Sequence, residues 1–294
     1  MRSLIACLFL ASLTAWGANG PGHEPDPTRA KLAIIIDDVG YNRALGERTA
    51  RLAGAYTLAL LPHTPHSHYL AELTHRQGKE QILHAPMENM AGLALGPGAL
   101  TLQMSRAEFT ASLRKSIAHF PHIVGLNNHM GSALTREPQP MGWTMSEARR
   151  AKLYFVDSRT TAQSVAHQTA QAYGLASAKR DVFLDHEIDR EHIHRQLLLA
   201  VQRAKTQGHA IAIGHPYKET LQVLEQVSEQ WYAEQGVELV SASALVAPSP
   251  PGAGFCQAPP PLLRQWTMPP AQLQSQAKSQ MPSKLIEFGY QQLL

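Results

Sequence analysis

The sequence predicts an α/β protein whose parallel β-strands and helices alternate along the chain. Short apolar runs and helical stretches alternate about eight times between residues 31 and 246. This pattern is typical of βα units around a parallel sheet. Side chains that can bind a metal or transfer a proton follow nearly every apolar run. Barrel enzymes build their active sites at that end of the strands. A doubly wound sheet binds ligands mainly at one switch point. The distribution therefore favours a (β/α) barrel.

The predicted elements follow from apolar runs, helical periodicity and terminal signals. Ser105 with Glu108 forms a capping-box pattern at one helix start, and Gly78 and Gly208 end two other helices. The predicted strands are 31–37, 56–62, 80–87, 123–132, 154–160, 180–185, 210–216 and 237–243. The predicted helices are 43–54, 66–78, 105–120, 146–153, 164–174, 190–208 and 218–236.

The termini differ from this central domain at 31–246. Residues 1–18 carry one basic residue, an apolar run and then small residues, which is the order of a secretory signal peptide. The run is shorter than the roughly 20 residues of a membrane span. We expect an exported, periplasmic or extracytoplasmic protein whose mature chain has no transmembrane segment. Residues 19–30 read as a Pro/Gly-rich linker, and 247–294 as a Pro/Gln-rich tail, largely disordered.

The composition of the chain limits the kinds of partner that we expect. The chain is 44% apolar and 17% charged with a net charge of +3, and no basic stripe stands out, so we expect no nucleic-acid partner. The mature chain would keep Cys256 alone, which excludes an intrachain disulfide. The oligomeric state is left open.

Two adjacent carboxylates, Asp37 and Asp38, end the first apolar strand. If both were buried and charged, their repulsion would raise one pKa sharply unless something compensated. A divalent cation would do so, with one aspartate as ligand and the other as acceptor of a proton from metal-bound water. An isolated pair of this kind also occurs in solvent or as a turn cap, and this alternative stays open.

Three histidines, His84, His129 and His215, directly follow other apolar strands. Each alone is commonly a hydrogen-bonded structural residue. Together with the aspartate pair they form a candidate ligand set, because a catalytic zinc takes three protein ligands and leaves one position for water. One aspartate and two histidines satisfy that number, which leaves one histidine as acid or base.

Four further polar residues lie at strand ends: Asn128, Asp157, Arg159 and Asp185. We interpret them as supporting or substrate-binding groups. Asp157 could orient a histidine, and Arg159 could pair with a carboxylate or hold substrate. A structural salt bridge between strands is the alternative for this pair, and a structural role is also open for Asp185.

Six ordered motifs resemble the divergent polysaccharide deacetylase family, relatives of the NodB-type carbohydrate esterases. They are IIIDDVGYN, LHAPMEN, GLNNHMGS, YFVDSRTT, RDVFLD and AIAIGHPYKETL, within residues 31–246. The resemblance implies a distorted, seven-stranded (β/α) barrel of the NodB-like kind. It also implies a divalent metal and N-deacetylation of a polysaccharide or oligosaccharide. Zinc is our choice of metal, because one aspartate and two histidines match its ligand number.

The resemblance also assigns roles. Asp37 would be the general base, Asp38 and His129 metal ligands, and His215 the acid that protonates the leaving amine. The family's second histidine should stand four residues after His129, where this chain has Ala133. His84, on the neighbouring strand, is our candidate for the missing ligand.

The expected function is therefore metal-dependent removal of N-acetyl groups from an envelope or extracellular polysaccharide. The departure at Ala133 keeps open a catalytically weak or inactive barrel that binds carbohydrate or a protein partner. A third reading is a glycosidase that uses two carboxylates, Asp37 with Asp157 or Asp185. Metal dependence would exclude it.

Overall fold

A computed structural model describes residues 29–246 of the chain. The predicted signal peptide, residues 19–28 of the predicted linker and the predicted tail at 247–294 lie outside these residues. Ala30, the last residue assigned to the linker, already belongs to the first strand.

Nine strands and eight α-helices lie within the described residues. The strands are β1 (Ala30–Val39), β2 (Thr57–Leu60), β3 (Glu80–Met87), β4 (Gly125–Met130), β5 (Tyr154–Asp157), β6 (Ser177–Lys179), β7 (Val182–Phe183), β8 (His209–Gly214) and β9 (Val237–Val240). The helices are α1 (Arg43–Ala50), α2 (Ser67–Arg76), α3 (Arg106–Ala118), α4 (Pro138–Arg150), α5 (Ala166–Ala172), α6 (Arg190–Gln207), α7 (Lys218–Leu224) and α8 (Glu229–Glu234). None of the helices between residues 29 and 246 combines the length and apolar content of a membrane span.

The strands form one parallel sheet in the order β6-β5-β4-β3-β2-β1-β8-β7, with β9 also paired to β1. The path ends at β6 and β7, which follow each other in the chain but are not paired within the sheet. The architecture is thus an open, distorted barrel, and the predicted α/β barrel fold is confirmed. The path has eight strands instead of seven because β6 and β7 are short, separate strands of three and two residues.

Side chains of the sheet alternate between two apolar layers, as the twofold period of a strand requires. One face, which includes Leu32, Ile34 and Ile36, packs under the helices in the large core. The other face carries a smaller cluster, which includes Ala33 and Ile35 and contains no residue of the eight helices. β1 is buried on both faces, which explains its continuous apolar run.

Helix boundaries follow local chemistry. Ser105 accepts a hydrogen bond from the Glu108 backbone, and the Glu108 carboxylate accepts one from the Ser105 backbone, so the predicted capping box is present. The predicted helix 218–236 is instead two helices, because the Ser228 side chain caps α8 by accepting from Trp231 N at 3.1 Å. α4 begins at Pro138, eight residues before the prediction, since proline is well tolerated in the first helical turn.

Candidate metal centre

The candidate site lies at the carboxyl ends of β1, β3, β4 and β8, where it covers the smaller apolar cluster. The alternation that directs an apolar residue into that cluster directs the polar residue two positions later into the site. The pairs are Ile35 and Asp37 in β1, Ile82 and His84 in β3, and Ile213 and His215 at the end of β8. In each of these three strands, alternation therefore directs one polar side chain into the site.

A bulge in β1 brings the adjacent Asp37 and Asp38 to the same site. Between Ile36 and Val39 the register against β2 shifts, with three steps along β1 against two along β2. Asp38 has a left-handed backbone with φ 58°, a conformation that aspartate tolerates better than most residues. A bulge of this kind redirects side chains. It explains how two consecutive strand residues can both approach His84.

Three donor atoms converge from β1, β3 and β4. Asp38 Oδ1 lies 3.1 Å from His84 Nε2 and 2.7 Å from His129 Nδ1. The two histidine nitrogens lie 3.2 Å apart. Asp38 Oδ1 is buried, yet neither nitrogen makes a well-aligned hydrogen bond to it. The three atoms form a compact triangle in which each lies within 3.2 Å of the other two, a grouping that could hold one ion.

The donor set fits a divalent transition metal. Ligand atoms around a tetrahedral zinc, with bonds of about 2.0–2.1 Å, lie roughly 3.3 Å apart. Two of the three separations, 3.1 and 3.2 Å, are close to that spacing, and the third, 2.7 Å, is shorter. Two imidazoles and one carboxylate also suit zinc better than magnesium or calcium, which prefer oxygen ligands throughout.

Asn127 connects the donor set to Asp37. Its Oδ1 lies 2.7 Å from His84 Nδ1, and its Nδ2 donates to Asp37 Oδ1 at 2.8 Å. With Asn127 Oδ1 as acceptor, His84 carries its proton on Nδ1 and directs the Nε2 lone pair to the donor triangle. The same amide fixes one oxygen of Asp37 and leaves Oδ2 directed at the site, 3.6 Å from His84 Nε2.

His215 is held by Asp185 on the opposite side of Asp38. Asp185 Oδ1 lies 2.9 Å from His215 Nδ1, and Asp185 Oδ2 accepts from the His215 backbone at 2.6 Å and from Thr220 Oγ1 at 2.8 Å. This places His215 Nε2 3.9 Å from Asp38 Oδ2. The free nitrogen of a fixed histidine therefore faces the donor set.

The surroundings of Asp37, Asp38 and His215 shift the pKa values of these three groups in different ways. Burial raises the pKa of Asp37, although His84 and His215 act against it. Burial acts in the same direction on Asp38, but the charge of His129 overcomes it and holds the pKa of Asp38 well below its usual range. Burial disfavours a charge on His215, yet Asp185 and the Asp37–Asp38 pair raise its pKa to about 10. The two aspartates therefore differ, with Asp37 the more basic.

Not every predicted residue reaches the donor set. Asp157 shares its face of β5 with Phe155, in the helix-covered core, and its oxygens accept from Arg159 N and Ser164 Oγ, each at 2.8 Å. The partner that orients His215 is Asp185 instead. This placement also gives no support to Asp157 as the second carboxylate of a glycosidase. Asn128 bonds Met130 O and Ser158 N, so it supports the neighbouring loops.

The structure adds residues that the sequence did not indicate. Asn127 is the first of them, and strand alternation could have found it, because it shares a face of β4 with His129 whereas Asn128 does not. Arg180 is a second, a largely buried cation that donates to Ser158 O and Arg159 O and raises the positive potential near Asp37. A recess of about 30 Å³ beside Asp38 and His215 is a third feature, lined by Leu45 and Tyr217 among others.

Comparison with known proteins gives a family and a fold. The family model for divergent polysaccharide deacetylases matches residues 34–246. The uncharacterized protein YibQ of Escherichia coli K12 is 36% identical over 216 residues, which are 74% of this chain and 67% of YibQ.

Two crystal structures share the fold. The uncharacterized protein ATU2773 of Agrobacterium tumefaciens C58 matches with a TM-score of 0.72 and 23% identity, over 76% of this chain and 92% of that one. The catalytic domain of a peptidoglycan N-acetylglucosamine deacetylase from Eubacterium rectale matches with a TM-score of 0.50 and 12% identity, over 79% and 96%. At these identities the two structures establish the fold alone. With the family match over most of the described residues, the chain belongs to the divergent polysaccharide deacetylase family.

Proposed function

We propose that the protein is a divalent-metal-dependent hydrolase that removes N-acetyl groups from an envelope or extracellular polysaccharide. The observation that carries the proposal is the convergence of Asp38, His84 and His129 on one point, with Asp37 and His215 beside them, in a polysaccharide deacetylase fold. The reaction adds water across an amide: the acyl carbon gains the oxygen, the C–N bond breaks, and acetate and a free amine leave.

Asp38, His84 and His129 would hold the metal, and zinc is our choice from their chemistry. When bound, such an ion acts as a Lewis acid towards the acetamide carbonyl and lowers the pKa of water. The protein's own contribution begins with orientation. Asn127 fixes the His84 ring, so that Nε2 faces the site and would offer its lone pair to a bound ion.

Asp37 is the proposed general base. Its raised pKa makes it a better proton acceptor than the neighbouring Asp38, although both lie beside His84. Asn127 donates a hydrogen bond to Oδ1 of Asp37, and Oδ2 lies 3.6 Å from His84 Nε2, where it can take a proton from water. The proton removed from water therefore goes to Asp37 Oδ2.

His215 is the proposed general acid. The bond from its Nδ1 to Asp185 leaves Nε2 to carry the proton that the departing amine needs. With a pKa raised to about 10, His215 is protonated at neutral pH in the metal-free site. Hydrolysis needs this combination, since one group takes a proton from water and a second gives one to nitrogen.

The recess beside Asp38 and His215 supports an acetyl group as the part of the substrate that is removed. Its volume of about 30 Å³ accommodates about two groups the size of a water molecule. Val39, Leu45 and Tyr217 give it apolar walls, which suit a methyl group. Because residues 1–18 read as a signal peptide, we propose that the substrate lies outside the cytoplasm.

Acetate release tests the proposal. The full-length protein is incubated with chitin oligomers and with peptidoglycan, after zinc loading, after chelation and after zinc is restored. We expect acetate from at least one polymer, loss with the chelator, recovery with zinc, and a loss of about 10²–10⁴-fold in Asp37→Asn.

Absence of acetate release from zinc-loaded protein on every N-acetylated polymer would refute the enzyme assignment and favour a carbohydrate-binding role. Undiminished acetate release in Asp37→Asn would instead refute the role of Asp37 as base.

A further inference from the structure

A second group of metal-ligating side chains lies outside the site described above. His186 and Glu187 follow β7 in the loop that leads to α6, and His192 lies in the first turn of α6. One donor atom from each of the three lies within 4.8 Å of the other two. The rings of the two histidines meet edge to face, with centroids 4.2 Å apart.

His192 is the fixed member of this group. It is 7% exposed, and its two nitrogens face different partners, so an ion would bind one of them and the side chain at the other nitrogen would turn towards the ion. Its Nε2 lies 3.3 Å from His186 Nδ1, and its Nδ1 lies 3.4 Å from Glu187 Oε2. The first separation again matches the roughly 3.3 Å expected between ligands of a tetrahedral zinc.

The backbone around the group is held in place. Asp189 caps α6 by accepting from His192 N at 2.9 Å, and its own N–H donates to Glu187 O at 2.9 Å. The loop that carries Glu187 is therefore tied to the turn that carries His192. The exposed side chains of His186 and Glu187 have only their own rotamers to adjust when they bind an ion.

We propose that His186, Glu187 and His192 bind a second divalent transition-metal ion. Two imidazoles and one carboxylate select zinc over magnesium and calcium, and three protein ligands leave a position for water. The proposal does not depend on the proposed function, because no residue is shared between the two sites.

An ion in this second site would fix the segment that supports the proposed acid. Asp185 immediately precedes His186 and holds His215 through its carboxylate. The Phe183 ring lies beside both histidine rings, with centroids 5.5 Å from His215 and 6.2 Å from His186. The second ion therefore stabilises the loop on which the orientation of His215 depends.

Zinc stoichiometry of the full-length protein tests the proposal. Metal-free protein is titrated with Zn²⁺ against a chromophoric chelator, and the tightly bound equivalents are counted. His186→Gln and Glu187→Gln change exposed residues and should keep the fold, as checked by circular dichroism. We expect each to bind one equivalent fewer than the wild type. His194→Gln, an exposed histidine of α6 outside the group, is the matched control and should bind as many as the wild type.

The proposal is wrong if His186→Gln and Glu187→Gln both bind as many zinc equivalents as the wild type. It is also wrong if the control His194→Gln loses as much bound zinc as these two variants. His129→Ala separates the two sites, because it removes only the ion assigned to the Asp38 site. A result in which His129→Ala binds as much zinc as the wild type, while His186→Gln binds less, would contradict the first site and leave the second intact.

Discussion

Replacing Asn127 with alanine should weaken metal binding although Asn127 is not a ligand. The substitution removes the acceptor of His84 Nδ1 and the donor to Asp37 Oδ1. Second-shell partners of this kind contribute about 10–100-fold to metal affinity. Each buried group left without a partner also destabilises the fold by about 1–3 kcal/mol. We therefore expect a 10–100-fold weaker zinc affinity and a free energy of unfolding lower by about 2–6 kcal/mol.

Asn128→Ala is the matched control for this prediction. Asn128 is the next residue of β4, is equally buried, and makes two hydrogen bonds that avoid the donor set. Urea unfolding of the metal-free proteins measures stability, and competition with a chromophoric chelator measures zinc affinity. Both variants should lose stability, and only Asn127→Ala should lose affinity. Zinc affinity within about threefold of wild type in Asn127→Ala, or an equal loss in both variants, would refute the reasoning.

Three other substitutions test separate parts of the structure. Asp185→Asn removes the largest of the charges that raise the pKa of His215 to about 10, so that pKa should fall in an NMR titration of metal-free protein. The kcat for acetate release should fall by about 10²-fold or more. An unchanged kcat would speak against His215 as the acid. Two arginines bond Glu147 and hold its pKa below the usual 4.5, so its stabilising effect is present above pH 4.5 and is lost as the pH falls through the lowered value. Glu147→Gln should unfold about 1–2 kcal/mol more easily at pH 7, with a difference that shrinks below pH 4.5; a pH-independent difference would contradict this. A β-carbon on Gly40 would overlap a neighbouring threonine hydroxyl, so Gly40→Ala should lose about 2 kcal/mol or more in urea unfolding, against about 1 kcal/mol for Gly78→Ala, which has open space around it.

The site shows what strand patterns in a sequence can predict. His84 and His129 each follow an apolar run, and parallel strands place such residues at one end of the barrel, so their proximity was predictable. The choice between Asn127 and Asn128 was also accessible, because alternate residues of β4 share a face. The sequence analysis named Asn128 as a supporting group, whereas the amide that contacts His84 and Asp37 is Asn127, which shares its face of β4 with His129.

Other features depend on contacts that no local pattern contains. The bulge that directs both Asp37 and Asp38 to the site depends on the register of β1 against β2. The sequence of β1 alone does not specify that register. Asp157 ends its strand as Asp37 does, yet it packs on the helix-covered face and bonds Ser164. Ser228 could either continue a helix or cap a new one, and in the structure its side chain caps α8.

The claim that Asp38, His84 and His129 together hold one divalent ion is tested most directly by anomalous X-ray diffraction at the zinc absorption edge, on crystals of the zinc-loaded protein. We expect a peak about 2.0–2.2 Å from Asp38 Oδ1, His84 Nε2 and His129 Nδ1. A zinc-loaded crystal with no anomalous peak among these three atoms would contradict the account.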